Sequence, residues 1–157
     1  MLTKSSLQNT FAVFEDPYNL ARITPSSLRF QVTTPHRVQM RAGAEIEYTI
    51  RWLGLPMRWK TLIVEYNPPH LFIDEQAKGP YKLWRHRHTF ESTAQGTKVG
   101  DHVEYALPLG PLGELAHALV VKRQLLGIFN YRQAELSKLL DGNAVQTVRP
   151  YVESRRT

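Results

Sequence analysis

Between Ala44 and Leu107 the chain reads as one strand after another, with nothing between them long enough to cross over a sheet. Ala44–Leu53 runs to a turn at Gly54-Leu55-Pro56 and returns as Met57–Tyr66. Asn67-Pro68-Pro69-His70 leads into a hairpin, Phe72 to Glu91, folded about Ala77-Lys78-Gly79-Pro80. Ser92–Gly96 turns again, and Thr97–Leu107 closes the series. Short connections of this kind join antiparallel neighbours, so the tract predicts a meander. Side chains alternate faces along a strand. On the outgoing arm of the hairpin, Trp84, His86, His88 and Phe90 share one face, while Leu83, Arg85, Arg87 and Thr89 share the other. Carried through the turns, with Trp52 facing Trp59, Glu65 facing Phe72, Asp74 facing Trp84 and Phe90 facing Val99, this alternation collects Tyr48, Trp59, Asp74, Gln76, Trp84, His86, His88, Asp101 and Tyr105 on one side. Glu47, Arg51, Arg58, Lys60, Glu75, Arg85, Arg87 and Glu104 fall on the other. Charge segregation across four turns supports the register, because a slip of one residue would reverse every side chain of a strand.

The flanks are helical. Ser5 or Ser6 caps a short helix to about Glu15, and Asp16-Pro17 opens a second one to Ile23. Ser27–Thr33 alternates as a strand, and Arg37–Arg41 is a weaker extended arm. After Pro108-Leu109-Gly110-Pro111, apolar residues at spacings of three, four and seven predict one long helix, about Leu112 to Leu140. At 1.5 Å per residue it would run roughly 40 Å, enough to cross the sheet. The expected fold is α+β: one domain over residues 1–143, with a curved antiparallel sheet of six strands packed on a C-terminal helix, and a flexible tail at 144–157. Met1–Lys4 leave room for only a fragment of a first strand, so Thr97–Leu107 is expected to keep a mostly open edge. Such an edge invites pairing. A natural start upstream, a second copy in a homodimer, or the tail valines Val145, Val148 and Val152 would each cover it.

Composition narrows the partners. The 157 residues include no cysteine, which removes disulfides and thiolate chemistry. Twenty Lys and Arg against 14 Asp and Glu give a net charge of +6. These charges are scattered and no nucleic-acid-binding motif accompanies them, so no nucleic-acid partner is expected. No apolar run is long enough to span a bilayer and no signal peptide opens the chain; a cytoplasmic protein without membrane insertion is the expectation.

An enclosed face carrying two histidines and two aspartates is a place to look for function. Three chemistries compete there. Two imidazoles and a carboxylate form a ligand set for zinc or non-haem iron. Any His-x-His strand meets that spacing test, however, and ligand number without supporting partners is weak evidence. No metal and no cofactor are therefore expected. Asp101, opposite His88, could orient that imidazole for acid–base work, which makes His88 and Asp101 the candidate catalytic pair. No nucleophile or oxyanion motif accompanies them. The third reading is a self-satisfied polar layer that recognises the polar end of a ligand. Tyr48, Trp52, Trp59, Trp84 and Tyr105 could stack on a flat ligand, although such side chains more often serve as ordinary core. Lys122 and Arg123 on the long helix could meet a ligand carboxylate at the mouth, although a solvated helix face explains them as well.

Three stretches, DPYNLARITP at 16–25, the tract from Gly43 to Phe90, and DHVEYALPLGPLG at 101–113, resemble the SRPBCC superfamily, also called START-like or Bet v 1-like. The likeness covers about Phe11 to Leu139 and is nearest to bacterial ligand-binding and polyketide cyclase/dehydrase-like members. It implies a helix-grip fold with a cavity between sheet and long helix, and no particular reaction. The expected function is binding of a small hydrophobic molecule, aromatic or polyketide-like, through Tyr48, Trp59, Asp74, Gln76, Trp84, His86, His88, Asp101 and Tyr105. The alternative is a cyclase, aromatase or dehydratase-type enzyme using His88 and Asp101. A third class is an interaction module whose partner supplies the activity.

Overall fold

The computed structural model describes residues 1–35, 37–52, 54–108, 120–141 and 153–154. Five long antiparallel strands form the sheet: β3 (Glu45–Trp52), β4 (Leu55–Asn67), β5 (Leu71–Lys78), β6 (Leu83–Thr93) and β7 (Gly96–Ala106). Two-residue strands complete the edges. β2 (Gln31–Val32) pairs β3, while β1 (Leu2–Thr3) and the parallel β8 (Glu153–Ser154) both pair β7, in the order β1-β7-β6-β5-β4-β3-β2. The sheet therefore counts eight strands among the described residues, against the six expected. The surplus is the pair of short edge pieces. β1 lies against Thr97 and Lys98, and β8 against Glu104 and Tyr105. Neither is a full seventh strand among the described residues, and neither pairs Gly100–Val103 there. The tail valines proposed for this role lie outside the described residues.

Ser6 caps α1 (Leu7–Glu15), its hydroxyl accepting from Asn9 N at 3.3 Å. Asp16 Oδ1 accepts from Tyr18 N at 2.9 Å and leads into α2 (Asn19–Arg22). The strand expected over Ser27–Thr33 shrinks to β2, because Pro25 starts a 3₁₀ turn at Ser26–Leu28 and Arg29 leaves it with φ 43°. Arg37–Arg41 does not form a strand. The C-terminal helix α3 is described over Lys122–Asp141; the portion expected at 112–119 lies outside the described residues.

Three registers depart from expectation. Trp52 lies opposite Leu55, not the Trp59 expected, an even slide that leaves the faces unchanged. Asp74 lies opposite His86, two residues further along β6 than the Trp84 expected. Between Ile63 and Glu65 a bulge at Val64 shifts β4, so Tyr66, not Glu65, stands opposite Phe72, and Glu65 turns outward with Ile73. The face assignments otherwise hold: Tyr48 pairs Trp59, His88 pairs Asp101, and Phe90 pairs Val99. Outside, Lys60 meets Glu45 at 2.6 Å, and Arg85 meets Glu75. Inside, α1 and the lower half of α3 close one end of the sheet through Phe11, Phe72, Phe90, Val99 and Leu136. Val103, Tyr105, Val121, Leu125 and Phe129 close the other. Fully burying a side chain such as Leu136, 1% exposed, contributes about 2 kcal/mol. Sheet and helix are thus pinned at two ends with a gap between them.

Candidate functional site

The gap is a cavity of about 340 Å³, bounded by the concave sheet face, by α3, and by the segment joining α1 to α2. Its wall is mostly aliphatic and aromatic. Tyr48 stacks on Trp59 at 5.8 Å, and Trp84 meets Trp59 edge-on at 5.4 Å. The Tyr48 hydroxyl shares a hydrogen bond with Thr61 at 3.3 Å, and burial pushes its ionisation above the ordinary tyrosine range.

The polar part of the wall comes from β5 and β6. Alternation puts His86 and His88 on the inner face, and the register brings Asp74 and Asp101 to either side of them. The hydrogen bonds run diagonally. His86 Nε2 lies 3.1 Å from Asp101 Oδ1, and His88 Nε2 lies 3.2 Å from Asp74 Oδ2. Two further approaches close the ring: His88 Nδ1 to Asp101 Oδ1 at 2.7 Å, out of line for a hydrogen bond, and His86 Nδ1 to Asp74 Oδ2 at 3.7 Å. Each imidazole is thus flanked by both carboxylates. Both histidines are about 95% buried, His88 stacked on Phe72 at 4.3 Å and His86 edge-on to Phe129 of α3 at 5.7 Å.

Burial and the neighbouring His88 hold His86 below the usual imidazole range. Burial acts the same way on His88, but the Asp101 and Asp74 carboxylates beside it outweigh it and raise that ring above its ordinary value. Burial alone would raise Asp101; the two imidazoles overcome it and hold the carboxyl well below its ordinary value. The environment thus favours the ionised form of Asp101, the neutral form of His86 and the protonated form of His88.

Six of the nine expected binding residues line the cavity: Tyr48, Trp59, Asp74, Trp84, His86 and His88. The wall is formed without the other three. Gln76 is spent on the hairpin turn, its Nε2 donating to Tyr81 O at 2.7 Å and its Oε1 accepting from Tyr81 N at 3.2 Å. Asp101 stands behind the imidazoles. Tyr105 is fully buried against Val121 and Phe129, with its phenol pushed up to about 12 by burial. Lys122 and Arg123 are exposed on the outer side of α3.

Arg132 was not anticipated. It lies on the same side of α3 as the buried Leu125, Phe129 and Leu136, and it lines the cavity with its guanidinium 5.5 Å from the Phe129 ring. Its buried Nε has no hydrogen-bond partner, and no ion pair engages it among the described residues. Trp59 Nε1, also buried on the wall, is likewise unpartnered. The available signal was positional: residues 125, 129, 132 and 136 continue a spacing of four, three and four, so a cation occupies an apolar stripe.

Comparison with known proteins places this architecture. A family model described as polyketide cyclase / dehydrase and lipid transport matches residues 4–127. Among solved structures, TTHA0849 from Thermus thermophilus superposes with a TM-score of 0.70 at 14% identity, over 88% of this chain and 91% of that one. CV1439 from Chromobacterium violaceum gives 0.65 at 14%, over 91% and 95%. Ara h 8.0201 gives 0.57 at 14%, over 87% and 93%. At such identities the likeness establishes the fold. A search of curated proteins finds no match. Matched over most of its length and built as a curved sheet gripping a C-terminal helix, the chain belongs to the polyketide cyclase/dehydrase and lipid-transport family of the SRPBCC superfamily.

Proposed function

We propose that the protein binds an amphipathic small molecule whose apolar, aromatic or polyketide-like body fills the cavity and whose acidic or acceptor-rich end meets Arg132 and Trp59. The observation that carries this reading is the pair of unpartnered buried donors on a mostly apolar wall. A donor left without an acceptor in a buried place costs about 1–3 kcal/mol, and a ligand oxygen would recover it. Pockets of this volume, largely apolar with a few placed polar groups, suit small-molecule binding. The test is saturable quenching of the wall tryptophans by 2-naphthoate and by its uncharged methyl ester. The carboxylate should bind more tightly, and Arg132→Gln should cost it about tenfold, equivalent to one charge-assisted hydrogen bond, while leaving the ester unchanged. Absence of saturable binding by either compound would overturn the reading. Equal affinities would remove the acidic end from it.

One observation favours a second reading, a cyclase, aromatase or dehydratase-type enzyme. Asp101 holds His86 Nε2 at 3.1 Å, while His86 Nδ1, on the cavity side, stays beyond hydrogen-bond reach of Asp74. A carboxylate that fixes one imidazole nitrogen and leaves the other bare is the geometry of a general base. In this reading the oriented base is His86; His88, expected from the sequence, meets Asp101 out of line. His86→Ala separates the two: a binder loses affinity, whereas an enzyme loses turnover with binding largely kept.

A further inference from the structure

We infer that Asp74, His86 and His88 form a binding site for a divalent transition ion of the zinc or iron(II) class, open toward the cavity. The inference does not depend on which organic molecule fills that cavity. One ligand atom from each of the three residues lies within 4.8 Å of the others. Asp74 Oδ2 stands 3.2 Å from His88 Nε2 and 3.7 Å from His86 Nδ1. Around an ion with bonds of about 2.0–2.2 Å, neighbouring ligand atoms sit roughly 3.0–3.5 Å apart, so the first spacing falls inside the range that coordination requires and the second slightly above it.

Spacing alone would prove little. Asp101 supplies what a His-x-His strand by itself lacks. A ligating imidazole almost always donates its other N–H to a carboxylate or carbonyl, which fixes the tautomer and aims the lone pair at the ion. One oxygen of Asp101 lies 3.1 Å from His86 Nε2 and 2.7 Å from His88 Nδ1, the distal nitrogen of each ring. With protons there, the lone pairs of His86 Nδ1 and His88 Nε2 both turn toward Asp74. Asp101 thus orients the His86 ring through a hydrogen bond and lies close to the distal nitrogen of His88, though out of line with it, while Asp74 completes the triangular face.

Charge balance agrees. With both imidazoles neutral, as ligands must be, the two carboxylates leave a deficit of positive charge that one divalent ion would neutralise. A purely structural network of this burial is expensive, since well-packed apolar residues of the same volume usually do as well or better. All three ligands line the cavity, so the remaining coordination positions would face it. Two histidines and one carboxylate leaving open positions is the ligand pattern of catalytic rather than structural metal sites.

The experiment uses the full chain, stripped with a chelator and dialysed, with no organic ligand present. Co²⁺ is titrated in the visible and Zn²⁺ by calorimetry. One equivalent should bind with ligand-field bands of nitrogen and oxygen coordination. Asp74→Asn should abolish those bands, and Asp101→Asn should weaken binding about 10–100-fold, the usual effect of removing a carboxylate behind a ligating histidine. Each variant is checked by circular dichroism and thermal melting. Should any fail to fold, histidine ring ¹⁵N shifts of the wild type decide: Zn²⁺ should move His86 and His88 together and leave the surface residues His70 and His102 in place. Absence of binding at about millimolar metal, a weaker limit than any resident site, would overturn the inference. So would binding that survives Asp74→Asn, or shifts confined to His70 and His102. Naphthoate binding is measured without metal, so failure here leaves the cavity reading standing, and the converse also holds.

Discussion

Replacing Asp101 by Asn tests the electrostatics of the Asp–His ring in the metal-free protein. Asn keeps the volume and one acceptor oxygen but removes the charge that faces two imidazoles at 3.1 and 2.7 Å. Each contact to a charged partner is worth about 1.5–3 kcal/mol. Asn retains part of one, and His88 can shed its proton when the carboxylate goes. The net loss should therefore be about 2–3 kcal/mol, below the cost of stranding a buried ion outright. The pH dependence carries the sharper prediction. Asp101 is depressed below its ordinary 3.8, so its contribution is present above that value and lost as pH falls through the folded one. His88 is raised above its ordinary 6.5, so its contribution is present below that value and lost as pH rises through the folded one. His86 is common to both molecules and largely cancels. The difference between wild type and Asp101→Asn should therefore be largest near pH 5 and shrink toward about pH 2 and pH 9. Urea unfolding midpoints at those three pH values, with EDTA present, read it directly. A difference that stays flat across the range would mean that Asp101 acts through packing, and the charge assignment would fall.

Two glycines make opposite predictions. At Gly127, exposed on α3, an added Cβ would meet nothing within 4 Å, so neither close packing nor a ligand explains it; Gly127→Ala should stabilise by about 0.5–1 kcal/mol in a thermal melt, and a loss would contradict an ordinary helical backbone there. At Gly96, φ is 124° and a Cβ would run into the carbonyl of Thr3, so Gly96→Ala should cost about 2 kcal/mol or more. Hydrogen exchange at the Val99 amide, which donates to Met1 O at 2.8 Å, should then accelerate, and unchanged protection there would refute the pairing of β1 with β7.

Parity is what the residues of this chain make legible, and parity survives errors that destroy partners. The enclosed face of β6 was readable because Arg85 and Arg87 alternate with His86 and His88, so any register that solvates the arginines buries the histidines. Parity failed at Val64, one of two irregularities between β4 and β5. There Leu62, Ile63 and Val64 run continuously apolar, and an uninterrupted run hides the extra residue of a bulge. Arg132 was missed for another reason: a lone cation on a helix is ordinarily solvated, and only the packing of Phe129 and Leu136 on either side shows that it is not.

Partners depend on loop length, which composition does not specify. A tight turn about Gly79-Pro80 would set Asp74 opposite Trp84. The actual loop is wider because the Gln76 amide takes both the N–H and the C=O of Tyr81, replacing ladder bonds with side-chain bonds. Gly79 permits it, since a Cβ there would occupy the space of that amide. Sliding by two residues preserves the face and so leaves no trace in the alternation. In the tighter register Asp74 would lie about 7 Å further along the strand from its present place beside the imidazoles, out of reach of His88. The Asp–His ring, and with it the proposed ion site, thus depends on one glutamine that never touches the cavity.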